Sequence, residues 1–449
     1  MTTTAAPPAE TAGLSRPCNR CKEQEGTIDL RGAEVVCKSC FAYYVTTKAV
    51  KRLEVLQRET ASPIPPRGSN GPKSQRRTQR YLIALSCGPS STALLHVLFE
   101  NLKQQRARGR KVARFEYVAA HIIDDTSSTP DSAEDLLSSY RAQFPDLNLV
   151  SIPLSSALDL TSINWVSLPS PTTSLDSAPT PPQRLSQILH HLPSTTSRAD
   201  VRRFLTRHLL VAAAVSHNCD ALLLGHSTTS LAELTLSEAA KGRGFSLPFL
   251  VNDGSIPLPA NLDLYTSLGT STNSPVSNES KPTPATTSTT LPIYSPLREL
   301  FRKELITYLR DNAHPLAELL HLLPSTDTSS ATNTATTAPA VVSHRDLSID
   351  EVLLRYFADV ETNYPSVVAN VVRTTGKLLR RPNDTNFNDG DGEVESCGLC
   401  GTALDELGDE RWKGEIGERE QEEMADGNDD GVKKPKSKLC YGCERSVHG

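Results

Sequence analysis

The sequence predicts an α/β protein: a parallel sheet covered by helices on both faces, with a four-cysteine module at each end. Three observations carry that reading. Between residues 81 and 226, short apolar runs of strand length alternate with stretches of helical periodicity, the pattern of βα units whose strands are buried on both sides. Eight of the ten cysteines fall into four CxxC pairs, two near each end of the chain. Tracts dense in Ser, Thr and Pro interrupt the apolar segments, and such composition cannot bury enough surface to offset chain entropy.

Taken in order, residues 1–16 read as a disordered tail: they lack the basic start and apolar stretch of a secretory signal. Residues 17–45 form the first cysteine module and 46–80 a helical, basic linker. The α/β body then runs from 81 to 382. YLIALS (81–86) is a buried strand, and TALLHVLFENLKQQRARG (92–109) a helix with a basic end. FEYVAAHIID (115–124) and LNLVSIPL (147–154) are further strands, separated by the helical DSAEDLLSSYRAQF (131–144). RADVRRFLTRHLLVAAAVSHN (198–218) is a strong helix, and DALLLGH (220–226) another strand. Residues 166–182, 260–290 and 324–343 read as mobile surface insertions. Residues 383–449 form the second cysteine module around an acidic insert.

The chain of 449 residues has room for two or three domains, but with 37% hydrophobic and 5% aromatic residues the folded part is smaller than the whole. No apolar run approaches the ~20 residues of a membrane span, so the expectation is a cytosolic protein with reduced cysteines. The formal charge of −5 hides an asymmetry. Residues 384–430 carry seventeen acids and three bases, while residues 1–383 come to +5. A mildly basic body fits a polyanionic partner, although an acidic run is also an ordinary solvated segment.

Cys18 and Cys21 are followed, after fifteen intervening residues, by Cys37 and Cys40. Each CxxC places two thiolates on one knuckle, and two knuckles complete a closed tetrahedral zinc site with no open position for catalysis. Cys397 and Cys400 repeat the arrangement with Cys440 and Cys443 after 39 residues. His448 is a competing ligand on residue type alone.

Within SCGPSS, residues 86–91, small side chains lie between a strand and a helix, where free backbone N–H groups favour an anion. An ordinary βα turn with Ser90 or Ser91 as helix cap accounts for the same residues.

That turn resembles the PP-loop of ATP pyrophosphatases, SGGxDS, reduced to Ser86, Cys87, Gly88, Ser90 and Ser91. GHSTTSLAE (225–233) stands where that superfamily carries GHxxDDxxE and keeps Gly225, His226 and Glu233. With the cysteine bookends, KGRGFSLPF (241–249) and LPIYSPLRELFRKEL (291–305), the combination resembles the cytoplasmic tRNA 2-thiolation protein 2 family. The resemblance implies a heterodimer with a catalytic tRNA thiolation subunit that modifies the wobble uridine of tRNA. It also implies sulfur supply from a ubiquitin-like carrier bearing a thiocarboxylate, and so a link to protein urmylation.

The departures matter as much as the matches. Ser90 stands for an Asp, Cys87 for a Gly, and Thr229 and Ser230 for the paired acids. A Mg²⁺–ATP site needs such oxygen ligands, so ATP and Mg²⁺ are not expected in this chain, nor is catalysis. Cys87 and Cys219 are conceivable sulfur carriers, but the expectation is two small buried hydrophobes. Arg76, Arg77 and Arg80, with Arg67 and Lys73, form one basic cluster before the first strand. A second holds Lys103, Arg106, Arg108, Arg110, Lys111 and Arg114; both suit RNA phosphates. Two rivals stand beside this reading: an active ATP-dependent tRNA sulfurtransferase, and a zinc-finger nucleic-acid-binding regulator suggested by the first four cysteines.

Overall fold

Alternation along the central strand organises the molecule. In the computed structural model, Tyr81 and Ile83 of β3 (Gln79–Ala84) point into one apolar core, and Leu82 points into another on the opposite side. A strand apolar on both faces belongs in the middle of a covered sheet. The structure describes residues 16–60, 78–109, 113–126, 131–169, 179–258, 290–312, 347–379, 396–402, 404 and 439–449.

Around β3 run β4 (Phe115–Ile123), β5 (Asn148–Pro153), β6 (Ala221–Leu224), β7 (Gly254–Pro257) and β8 (Thr290–Tyr294), in spatial order β5-β4-β3-β6-β8-β7. All neighbours are parallel except β7, which pairs antiparallel with β8. The chain therefore winds outward from β3 to β4 and β5, then returns to β6 on β3's other side. The ends of β3 and β6 thus lie at the switch point, where ligands of such sheets bind.

One face carries α1 (Lys38–Glu59), α2 (Pro89–Ala107), α3 (Asp131–Gln143) and α8 (Arg302–Asn312), which share a core with Tyr81 and Ile83. The other carries α4 (Pro181–His190), α5 (Thr195–Ser216) and the last helix, α11 (Tyr441–His448). A third cluster joins α6 (Thr228–Ala240) and α7 (Leu247–Val251) to α9 (Ile349–Asn363) and α10 (Pro365–Thr375). Among the described residues no helix is long and apolar enough to cross a membrane.

The strands and helices expected between 81 and 226 are present, with ends shifted by a few residues. The strand read as 81–86 begins at Gln79 and leaves the ladder after Ala84, although Leu85 N–H still donates to the Ala120 carbonyl at 2.9 Å. The boundary placed at residue 45 falls inside α1. That helix buries Phe41, Val45, Ala49, Leu53 and Leu56 on one stripe, so the first cysteine module and the following helix form one unit packed on the sheet. The edges of the 166–182 tract are structured: Leu168 is buried, and Thr180 caps α4 in a capping box with Gln183. Most of 260–290 and all of 324–343 lie outside the described residues, as does the tail before Arg16.

Candidate functional site

The two βα turns at the switch point touch. After β3, Cys87 takes a left-handed backbone (φ 60°), a conformation unusual for a residue with a side chain. Gly88 is the N-cap of α2 and Pro89 the first helical residue, so neither Ser90 nor Ser91 caps the helix. Pro at this position has no N–H to leave unsatisfied. Ser91 is held inward instead, its hydroxyl 3.1 Å from the Gly88 carbonyl and 3.1 Å from Ser86 Oγ. After β6, Gly225 passes so close that a Cβ there would lie 2.6 Å from Ser91 Cα. Only glycine permits that approach, and it brings the SCGPSS and GHSTTS segments together.

What the turns lack is charge for a cation. Ser227 caps α6 by accepting from Ser230 N–H at 3.1 Å. Thr229 donates to Glu361 Oε2 at 3.0 Å and accepts from Arg302 N–H at 3.1 Å, joining α6 to α9 and α8. The retained acid, Glu233, is clamped by Arg302 through both carboxylate oxygens, at 2.8 and 2.5 Å. Burial raises its pKa despite that pairing, and neither feature suits a metal ligand. His226 is pushed down to about 4, first by burial and then by Arg207 and Arg203, so it is neutral.

Cys87 is buried, and that burial pushes its thiol up to about 12. His121 Nδ1 lies 3.6 Å from Cys87 Sγ, but the same nitrogen is 2.7 Å from the Leu85 carbonyl. Its proton is committed there, and burial lowers the ring's pKa, so no activating base faces the thiol. Burial likewise raises Cys219 to about 12. Cys87 is buried, as the sequence suggests, whereas Cys219 is only half-buried.

The eight paired cysteines assemble as two groups, one on each face of the sheet. Within each group, the four Sγ atoms lie within 4.8 Å of one another, and Cys21–Cys37 and Cys400–Cys440 stand 3.7 and 3.8 Å apart. An ion bonded to four thiolates at about 2.3 Å has tetrahedral edges of about 3.8 Å, so each group fits a single ion. No disulfide joins them, and His448 is exposed outside the second group. In the first group, a hairpin of β1 (Ile28–Leu30) and β2 (Glu34–Val36) separates the knuckles. Cys37 and Cys40 start α1.

Composition reasoning did not foresee how the second group is anchored. Arg243, from the KGRGF segment, is fully buried; it donates to Asp200 Oδ2 at 2.8 Å, to the Gly442 carbonyl at 2.9 Å, and to Ser446 Oγ. Ser446 also donates to Asp200 at 2.9 Å, and Lys241 Nζ reaches Asp200 and Asp350 at 2.7 and 2.8 Å. Burial alone would raise the Asp200 carboxyl, but Arg243, Lys241 and Arg203 hold it below the usual carboxylate range. Gly442 has no room for a side chain, since a Cβ would sit 2.2 Å from Arg243 Cγ. The adjacent glycines and basic residues of KGRGF were the available signal.

Arg80 sits at the opposite end of the sheet from the two turns. Its Nε is 3.4 Å from Glu116, while Arg106 pairs with Asp146 at 2.7 Å and Lys103 with Glu100 at 3.3 Å. Arg76 and Arg77, with Arg67, Lys73, Arg110 and Lys111, lie outside the described residues.

Fold and site together define a class: a doubly wound α/β protein whose switch-point turns, SCGPSS and GHSTTS, carry no acid, braced on each face by a four-cysteine group. The chain belongs to the cytoplasmic tRNA 2-thiolation protein 2 family. The family's model matches residues 348–445, and relatives of that name match nearly the whole chain. That of Pyrenophora tritici-repentis is 32% identical over 96% of this chain and 95% of its own length, and that of Phaeosphaeria nodorum 32% over 97% and 96%. A third, from Sclerotinia sclerotiorum, is 34% identical over 81% and 83%. Among solved structures, the U34-tRNA thiolase NcsA from Methanococcus maripaludis, with its [4Fe-4S] cluster, aligns at TM-score 0.48 and 14% identity, over 86% of this chain and 96% of its own.

Proposed function

We propose that this chain is the non-catalytic subunit of a cytoplasmic heterodimer that 2-thiolates the wobble uridine of tRNA. Its partner is a catalytic thiolation subunit that adenylates the uridine and takes sulfur from a thiocarboxylated ubiquitin-like carrier of the urmylation system. Family membership supports the process. The observation that carries the non-catalytic role is Glu233 of α6, the acid kept in GHSTTSLAE, bound on both oxygens by Arg302. With Thr229 and Ser230 spent on helix contacts, no carboxylate of these turns is left for Mg²⁺. Phosphoryl and adenylyl chemistry depends on such charged groups.

The cysteine groups are read as structural zinc sites, four thiolates closing each ion without an open coordination position. The active sulfurtransferase alternative requires ATP and Mg²⁺ to bind this chain by itself. A nucleic-acid regulator built on the first four cysteines is disfavoured because that module shares its core with the sheet. The test is reconstitution: tRNA thiolation should require both subunits, and this chain alone should neither bind Mg²⁺–ATP nor thiolate. The reading fails if the catalytic subunit alone matches the complex in rate and tRNA affinity.

A further inference from the structure

A second basic surface lies at the carboxyl edge of the sheet, away from Arg80. An open cleft of about 880 Å³ is lined by Arg31, Lys48, Arg52, Arg298, Arg373 and Lys377, against two acids, Asp253 and Glu299. It reaches Thr228, the first residue of α6, and so adjoins the GHSTTS turn. Four separate elements contribute: the β1–β2 turn, α1, the segment around β7 and β8, and the last turn of α10.

Its cations are arranged rather than scattered. Asp253 alone receives two guanidiniums, Arg52 at 2.6 Å and Arg298 at 3.1 Å, and the Arg298 and Asp253 side chains are 12% and 13% exposed. One carboxylate cannot neutralise both. Arg31 adopts a left-handed backbone (φ 61°), forks onto Glu304 at 2.7 and 2.9 Å, and lies 4.4 Å from the centre of the Phe301 ring. Lys48 lies 3.4 Å from Glu299. Arg373 and Lys377 are exposed and make no ion pair among the described residues. Counting Glu304 behind Arg31, six cations face three carboxylates.

From this geometry we infer that the cleft holds the phosphate backbone of the tRNA, and that it, rather than the strip around Arg80, is this chain's main RNA contact. The inference rests on the tRNA reading proposed above. Cations distributed over four elements match a run of phosphates along a strand better than one compact anion, whose donors would converge on a point. At the amino end of the sheet, Arg80, Lys103 and Arg106 face one acid each, whereas in the cleft six cations share three. The first cysteine group then supports the cleft, since Cys37 and Cys40 start the helix whose next turns present Lys48 and Arg52 to it.

The test uses the full chain and an unmodified tRNA transcript, with dissociation constants measured across a salt series. Arg373→Gln with Lys377→Gln removes two exposed charges that no described contact needs for folding. This double variant should weaken binding about tenfold near 0.1 M salt and flatten the log–log salt slope by about 1.5 to 2. Arg76→Gln, Arg77→Gln and Arg80→Gln together should change both quantities less. Unchanged affinity and slope in the cleft variant, while the wild-type chain binds, would overturn the cleft and leave the tRNA reading standing. A wild-type chain that ignores tRNA even at low salt would overturn both. A polyglutamate peptide competing as well as RNA of the same charge would make the cleft a site for acidic protein segments instead.

Discussion

Single residues in the two turns do structural work where the resemblance to ATP pyrophosphatases places chemistry. Gly225 shows this most directly. Adding a Cβ drives it into the backbone of Ser91, which no rotamer change relieves, so Gly225→Ala should lower stability by about 2 kcal/mol or more. The melting temperature of the purified chain measures this. Glu233→Gln should leave thiolation by the assembled complex within about threefold, as should Ser90→Ala and Ser91→Ala. A loss of ~100-fold, the scale of a missing transition-state group, would restore an active site here. His226 sets a pH dependence. Its folded pKa, pushed down to about 4, lies below the ordinary value of 6.5, so the unfolded chain binds the extra proton between those values. Stability should therefore fall as pH drops from about 6.5 to about 4. Burial lowers His96, His121, His208 and His217 in the same direction. His226→Asn should remove part of that slope in urea unfolding measured at successive pH values, and an unaltered slope would refute its share.

Among elements, the two helices tied to cysteine groups, α1 and α11, are held differently. α1 is held by an apolar stripe, Phe41 to Leu56, against the sheet-side core. α11 is eight residues long, too short to be stable alone; it is held by its cysteines and by Arg243. Arg243→Met leaves Asp200 buried without its main counter-charge, and such truncations cost about 3–5 kcal/mol. The C-terminal segment should then become the first site cleaved in limited proteolysis. Proteolysis identical to wild type would show that the metal group alone holds α11. In the sequence only the part of α1 beyond residue 45 was legible, as a helical linker, and α11 was marked only by its CxxC, because charge networks between distant segments leave no local period.

For the whole molecule, the two cysteine groups lie on opposite faces of one sheet and share no ligands. Purified protein should hold about two zinc ions, and Cys37→Ser should hold about one. Because α1 belongs to the main core, losing the first ion should lower the melting temperature of the whole chain and also weaken tRNA binding through the displaced Lys48 and Arg52. Full metal loss with unchanged folding would remove the structural role assigned to both groups.

By itself the sequence determined the α/β class, the strand and helix order from 81 to 226, the four cysteine pairs and the missing acids. All of these are local: period-two and period-3.6 apolar patterns, CxxC spacing, and residue type within a short turn. The tertiary structure alone decided which partners distant residues meet. Winding from β3 out to β5 and back to β6 sets Gly225 against Ser91. Folding of α8 onto α6 turns Glu233 into the partner of Arg302. Arg80 and Arg52 both fall within the basic linker read from 46 to 80, yet they stand at opposite ends of the sheet, one beside Glu116 and the other in the cleft at Asp253. Charge acts through space and carries no period along the chain, so composition shows that cations are present and only the fold shows where they converge.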